Sequence, residues 1–405
     1  MPDAAPNIIC LATFFKGVDF LREAHAQGAR VFLLTKEKQR GEDWPRDALA
    51  ALIPLPDDAP PEQFIHAAAE IARRNKISRV VALEEYDVLT AALAREHLLV
   101  PGLRHSEARL FRDKLAMRAA ARDAGIDAPE FAHLCNYQEV GEFMGRVPAP
   151  WVVKPRTDVS AIGVRKLSEA EQVWRAMDAL DARERPHERA PSHLIERFVP
   201  GEVFHVDSLV VGGEITFAGV SRYGRPPMNV AHEGGVFISS TVEYDSDERR
   251  QLLDVNQRLV GALNFREGAT HAEFIRGEAD GRFYFLEIAA RVGGAYIAET
   301  LEAASGVNLW REWARVELAD DAHPYELPPV REDYSGIVLS LARQEWPDTS
   351  RFDDPEIIFR PRRRHHVAFV VRSADPARVR ELLDDYARRF AAEFSAVAPP
   401  LERAE

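Results

Sequence analysis

The sequence predicts an α/β chain that changes character part-way. A doubly wound, parallel α/β domain comes first, and α+β segments built mostly from antiparallel strands follow. Three observations lead there. Strand-length apolar runs alternate with helical runs through the first hundred residues, the pattern of parallel βαβ units. From Leu194 to Ile288 most apolar runs are strand-like and separated by Gly-rich turns, with one helical interruption around Glu248 to Ala262. Finally, 405 residues at ~150 per domain make room for two or three domains.

Taken in order, Asn7 to Thr13 (NIICLAT) is a first strand, and Val18 to Gln27 has helical spacing that stops at Gly28. Arg30 to Thr35 is a second strand. A Pro-rich connection leads to a helix from Pro61 to Arg74, opened by proline at its first position. Arg79 to Leu83 reads as a third strand, and a helix begins at Asp87. This domain is expected to end near residue 104. A helix from about Arg109 to Ala124, closed by Gly125, opens the next region. Pro148 and Pro150 introduce the strand WVVK. The C-terminal part contributes Ser335 to Leu341, His366 to Val371 and a helix through Pro376 to Phe390.

Composition narrows the function. Lys plus Arg is 52 and Asp plus Glu is 65, a net charge of −13. Such a surplus of acid argues against a duplex nucleic-acid partner, whose affinity rests on Lys and Arg neutralising phosphates. It leaves room for a local basic pocket that holds a small polyanion. Cys10 and Cys135 sit in no metal-type cluster and cannot form a disulfide framework, so both read as small buried hydrophobes. The apolar run Ile8 to Phe15 is too short for a bilayer and lacks a signal-peptide layout. A cytoplasmic protein with no membrane partner is expected.

The chemistry concentrates in Thr270 to Arg291, THAEFIRGEADGRFYFLEIAAR. Two strand-like runs flank a turn at Asp280-Gly281, which predicts an antiparallel hairpin. Period two puts His271, Glu273 and Ile275 on one face of the first strand, and Phe283, Phe285 and Glu287 on one face of the second. A hairpin centred near Asp280 sets Glu273 opposite Glu287, with Cβ atoms about 5 Å apart. Like charges there call for a cation between them, and Mg²⁺ suits two carboxylates plus phosphates. The alternative is two unrelated, solvent-facing glutamates, which the FYFL run disfavours. Arg291 follows, able to grip a phosphate or carboxylate, and Gly293-Gly294 would let backbone N–H groups approach a ligand.

Upstream stand two lysines. Lys154 ends an apolar strand, where an unpaired ammonium is costly and a phosphate would supply a partner. Lys114, beside Asp113, is either a second phosphate ligand or a solvated helix position. The loop Arg156 to Val164, with Ser160 and Gly163, could fold over phosphates. Glu196 to Val199 reads as an extended edge able to bond adenine through its backbone, with Glu202 placed for ribose hydroxyls; an ordinary hairpin is the alternative.

In this order, Asp113-Lys114, Lys154-Pro155, the E-x-F-V-x-G-E segment at Glu196 to Glu202, His271-Ala-Glu273 and Glu287-Ile-Ala-Ala-Arg291 resemble the ATP-grasp superfamily over about residues 110 to 310. Gly268-x-x-His271-x-Glu273 and Val80 to Ala92 look most like its carboxylate–amine ligase branch. The resemblance implies an ATP-grasp architecture: a Rossmann-like pre-ATP-grasp domain over 1–104, a helix with a small lid subdomain over 105–200, and a catalytic domain over 201–405 with a C-terminal α+β extension from about 321. It also implies ATP as cosubstrate with Mg²⁺, or alternatively Mn²⁺. Lys114, Lys154 and Ser160 would bind phosphates, Glu196, Arg197, Phe198 and Val199 the adenine, and Glu202 the ribose. Glu273 and Glu287 would ligate the metal, while Arg291 would act on the transferring phosphoryl group or its acceptor. His271 would be a substrate contact or an amine-side base. Arg222, His232, Gly293 and Gly294 would line the pockets for small-molecule acid and amine substrates. A homodimer is compatible with this reading. The family's asparagine two residues after the second glutamate is Ala289 here, so a second metal ion would depend on Glu287 and phosphate oxygens. A bicarbonate-activating carboxylase and a nucleotide-binding scaffold with degenerate catalysis are the rival readings.

Overall fold

The structure is a computed structural model that describes residues 5–158, 162–184, 192–228, 230 and 234–396, with the backbone alone for 181–184. The first sheet is parallel, with strands β1 (Asn7–Leu11), β2 (Arg30–Lys36), β3 (Leu49–Leu55) and β4 (Ile77–Ala82) in the order β3-β2-β1-β4. Alternate residues of β1 feed two cores. Ile9 and Leu11 pack with Phe64, Ala68 and Ile71 of helix α2 (Pro61–Ala72) and with Val88 and Ala91 of α3 (Val88–Leu98). Ile8 and Cys10 face α1 (Val18–Ala26) on the other side. Helices on both faces bury a parallel sheet, as the continuous apolar strands require.

Three expectations need correction here. The Pro-rich connection contains β3, whose run LAALIPL includes Pro54; β3 is an edge strand, where a missing N–H is tolerated. Cys10 is buried, but Cys135 is exposed in the loop before the capping residue Asn136. The single helix over Arg109 to Ala124 is broken. A short helix α4 (His105–Ala108) and a tight turn end at Arg112, and α5 (Lys114–Asp123) starts anew. The cause is Asp113, which leaves helical geometry and accepts the N–H groups of Leu115 and Ala116 as an N-cap. The Lys114 N–H instead reaches the Arg156 carbonyl at 2.8 Å.

A small antiparallel sheet follows, made of Phe131–His133 (β5), Trp151–Pro155 (β6), Arg165–Leu167 (β7) and His193–Arg197 (β8) in the order β5-β8-β6-β7. Helices α6 (Tyr137–Arg146) and α7 (Ala170–Glu184) cover it through Val140, Phe143, Val173 and Met177. The large sheet has eight antiparallel strands: β9 (Gly201–Val211), β10 (Glu214–Tyr223), β11 (Phe237–Thr241), β12 (Gly268–Gly277), β13 (Phe283–Ala289), β14 (Tyr334–Leu341), β15 (Ile357–Phe359) and β16 (His366–Ser373). Their order is β13-β12-β9-β10-β11-β14-β16-β15, so the C-terminal strands continue the central sheet. Helix α8 (Asp247–Ala262) packs Leu252, Leu259 and Val260 on one face of β9 and β12, together with Met117 of α5. Helix α9 (Ile297–Ser305) follows the β13 turn, and α10 (Leu309–Leu318) packs Trp313 against Phe20 of α1. Helix α11 (Pro376–Glu393) covers β14 and β16 through Leu382, Tyr386 and Phe390. No helix among the described residues is long and apolar enough to cross a membrane.

Candidate functional site

Strands β12 and β13 form the expected hairpin, and the register sets Glu273 directly opposite Glu287. The expected face for Phe283 and Phe285 is wrong, and a bulge explains it. The ladder steps from Glu273–Glu287 to Phe274–Phe285, so Leu286 is the extra residue that reverses the side-chain alternation. Phe283 and Phe285 thereby enter the core with Phe274 and Ile288, while Glu287 turns to the opposite face beside Glu273. The bulge lets one strand be apolar toward the core and acidic toward the site.

Two cations come to Glu287 from other elements. Lys114 Nζ lies 3.0 Å from Glu287 Oε2 and 2.6 Å from the Asp158 carbonyl. Because α5 begins at Lys114, this side chain is buried rather than solvated. Lys154, on β6, is buried and pairs with Glu196 on β8 at 2.7 Å. Burial raises the Glu287 carboxyl, but Lys114 and then Lys154 overcome it and hold the pKa near 2. Burial presses the Lys154 ammonium down to about 8 despite Glu196. Glu287 keeps 34% of its side chain exposed, so it stays accessible to a ligand.

Arg118 was not anticipated. It stands one helical turn from Lys114 on α5, is fully buried, contacts Glu196 at 2.7 Å and lies over the Phe285 ring. Glu196 is therefore clamped between Arg118 and Lys154, which corrects its reading as an extended edge. Glu196 and Arg197 sit in β8 between β5 and β6. The N–H groups of Arg197 and Phe198 already reach the Glu130 and Pro150 carbonyls. Val199, past the strand end, packs with Val203, Ile275 and Tyr284 on the face that carries Glu273.

Two further expectations fail on strand parity. Glu202 pairs with Arg222 at 3.1 Å, and both are exposed on the face of Phe204, opposite the glutamates. Arg222 lines a separate hollow of about 220 Å³ with Glu243, Tyr334 and Arg380. Neither residue reaches the site. Ser160 and His232 lie outside the described residues.

His271 stands on β12 opposite Asp207 of β9, and Glu273 opposite His205. Asp207 Oδ1 is 2.8 Å from His271 Nδ1, and His271 Nε2 is 3.5 Å from Glu273 Oε1. Burial lowers the His271 pKa, but Asp207 and Glu273 raise it to about 10. Asp207 and Glu273 thus face the two ring nitrogens of His271. The turn after β13 explains Gly293. A Cβ there would meet Asp207 Oδ1 at 2.7 Å and His271 Nδ1 at 3.1 Å, so this glycine serves packing rather than ligand approach. Gly293→Ala should lower stability by ~1–3 kcal/mol, read in a urea titration. Around Gly294 a Cβ would meet nothing within 4 Å.

Arg291 is tied to the first domain. Its Nη2 lies 2.6 Å from Glu85 Oε2, and Arg112 holds Glu85 Oε1 at 2.6 Å. Glu85 follows β4 at the C-terminal end of the parallel sheet, where open α/β sheets bind ligands. The sequence carried that signal in Glu84-Glu85 after RVVAL. It also carried His205-x-Asp207, two polar residues on one face of an apolar strand.

Residues 147–299 match the family model of the ATP-grasp domain. The L-arginine-specific L-amino acid ligase of Bacillus subtilis is 23% identical over 256 residues, 62% of this chain and 60% of that protein. The chain thus spans about three fifths of the length of this curated relative. Among solved structures, an L-amino acid ligase from Bacillus licheniformis aligns over 97% of this chain and 98% of its own, with a TM-score of 0.76 and 18% identity. The biotin carboxylase domain of a Hydrogenobacter thermophilus 2-oxoglutarate carboxylase, in complex with MgADP and bicarbonate, aligns over 97% and 91% with a TM-score of 0.72 and 13% identity. These likenesses show a shared fold.

Proposed function

The chain carries an ATP-grasp domain, and from that premise we propose that it is an ATP-dependent carboxylate–amine ligase, with an amino acid as one substrate. One observation carries the reading: two carboxylates in register on adjacent strands, with two lysines from different elements converging on them. The donor set fits a divalent ion of the Mg²⁺ or Mn²⁺ type, which would be held by Glu273 and Glu287 and would neutralise phosphate oxygens. Ala289, opposite His271, offers no ligand atom, so Glu287 and phosphate oxygens would hold any second ion.

In this reading Lys114 and Lys154 bind and orient the ATP phosphates. Val199 and its apolar neighbours flank the adenine. A substrate carboxylate oxygen attacks the γ-phosphorus, the bond to the ADP oxygen breaks, and an acyl phosphate forms. The amine nitrogen then attacks the acyl carbon, phosphate leaves, and the nitrogen loses a proton to give the amide. Arg291, held by Glu85, stabilises charge on the carboxylate or the transferring group.

The test is a screen of amino-acid pairs with ATP and Mg²⁺, reading ADP and phosphate. Release that requires two amino-acid substrates supports the ligase. Release that requires bicarbonate and biotin instead assigns a carboxylase, whose fold this chain shares. Nucleotide binding with no release under either condition leaves a scaffold. The lysine adds a pH signature. The Lys154 cation is present below about pH 8 and lost above it, so ADP affinity should weaken as pH rises through 8. In Lys154→Met this dependence should vanish, as binding titrations across pH 6.5–9.5 would read.

A further inference from the structure

Asp207 lies at the centre of a buried hydrogen-bonded chain that the mechanism above leaves unused. Carboxylate oxygens only accept, so both histidine nitrogens that face Asp207 carry protons. His271 Nδ1–H donates to Oδ1 at 2.8 Å, and His205 Nδ1–H donates to Oδ2 at 2.6 Å. The far nitrogen of His205 lies 2.7 Å from the Ser239 hydroxyl. Asp207 and His205 are fully buried, and His271 is 8% exposed. These three residues have metal-binding side chains within 4.8 Å of one another. However, both Nδ1 atoms and both Asp207 oxygens are engaged in mutual hydrogen bonds, so the cluster is a brace. Gly293 closes against it. Asp207 can therefore touch neither substrate nor metal, and acts through His271.

What His271 does next follows from the geometry. Its Nε2 lies 3.5 Å from Glu273 Oε1, and the Tyr223 hydroxyl donates to that same oxygen at 2.8 Å. Among the described residues no hydrogen-bond donor reaches Glu273 Oε2. Among the described residues two groups thus engage one oxygen of the carboxylate and none engages the other. We propose that Asp207 is a positioning residue which, through His271 and beside Tyr223, fixes the Glu273 carboxylate so that Oε2 is presented to the metal ion. This rests on the reading of Glu273 as a metal ligand. Groups that orient a metal-binding side chain typically contribute about 10–100-fold to metal affinity.

The test uses Mn²⁺ as probe, with free Mn²⁺ read by electron paramagnetic resonance in the presence of ADP. Wild-type chain should bind Mn²⁺, and Glu273→Gln should lose it. Asp207→Asn keeps the shape of the side chain but presents an N–H₂ to one histidine N–H. It should bind Mn²⁺ about 10–100-fold more weakly, keep its metal-free ADP affinity, and recover turnover when Mg²⁺ is raised. A role in stability alone would give no such rescue. Tyr223→Phe and His205→Gln should each weaken Mn²⁺ binding by a smaller factor, and they decide the matter if Asp207→Asn does not fold. Wild-type affinity in folded Asp207→Asn, or in both other variants, overturns the inference while the ligase reading stands. A wild-type chain that bound no Mn²⁺ beside ADP would overturn both.

Discussion

Replacing Glu287 by alanine should abolish ADP release while leaving the fold largely intact. The carboxylate lies across from Glu273 and 3.0 Å from Lys114, at the meeting point of the large sheet, α5 and β6. Its loss would remove one of two metal-holding groups and the anion that orders Lys114. A catalytic ion supplies several kcal/mol of charge stabilisation, so turnover should fall by about 10³-fold or more. The fold should persist because Glu287 is partly exposed and the hairpin's apolar residues, Phe283, Phe285 and Ile288, pack on the other face. Far-ultraviolet circular dichroism and an ADP-release assay check both halves. A folded variant with wild-type turnover would remove Glu287 from the metal site.

Arg118→Met should give the largest loss of stability. Arg118 is fully buried, and its guanidinium shares Glu196 with Lys154. Methionine fills much of the volume but leaves a buried carboxylate with a single cation. Breaking a buried ion pair in this way typically costs about 3–5 kcal/mol. Urea denaturation would read it, and a loss below ~1 kcal/mol would contradict the clamp. A second, opposite effect accompanies it. Burial lowers the Lys154 pKa most, and Arg118 lowers it further by repulsion. Without Arg118, Lys154 should stay protonated to higher pH, so the fall in ADP affinity near pH 8 should shift upward. Stability and pH profile would thus move in different directions, which a general loosening of the protein would not produce.

Much of this site was legible because strand alternation and hairpin pairing are local. Thr270 to Arg291 contained both strands, the Asp280-Gly281 turn and the two glutamates. The alternation also held a trap. A single bulged residue, Leu286, reverses the faces, and nothing in FYFLEIA distinguishes a bulge from regular pleating. Glu202 and Arg222 failed for a related reason, since a position one residue from a site-facing neighbour points to the opposite side of the sheet. Lys114 was ambiguous because only the break at Asp113 turns it inward. Arg118 was missed because a charged residue on a helix ordinarily reads as solvent-facing, and only the packing of α5 under β8 and β13 shows otherwise.

The sequence by itself determined the α/β start, the antiparallel continuation, the carboxylate pair and the buried Lys154. Each follows from periodicity, turn chemistry or the cost of burying a charge. Tertiary structure alone decided the partners: Glu85 with Arg291, Arg118 with Glu196, and Asp207 with its two histidines. These contacts join residues 206, 78 and 64 positions apart. The physical reason is that buried charges are tolerated only in complementary sets. The chain shows which charges exist, and only the fold brings each to the group that neutralises it.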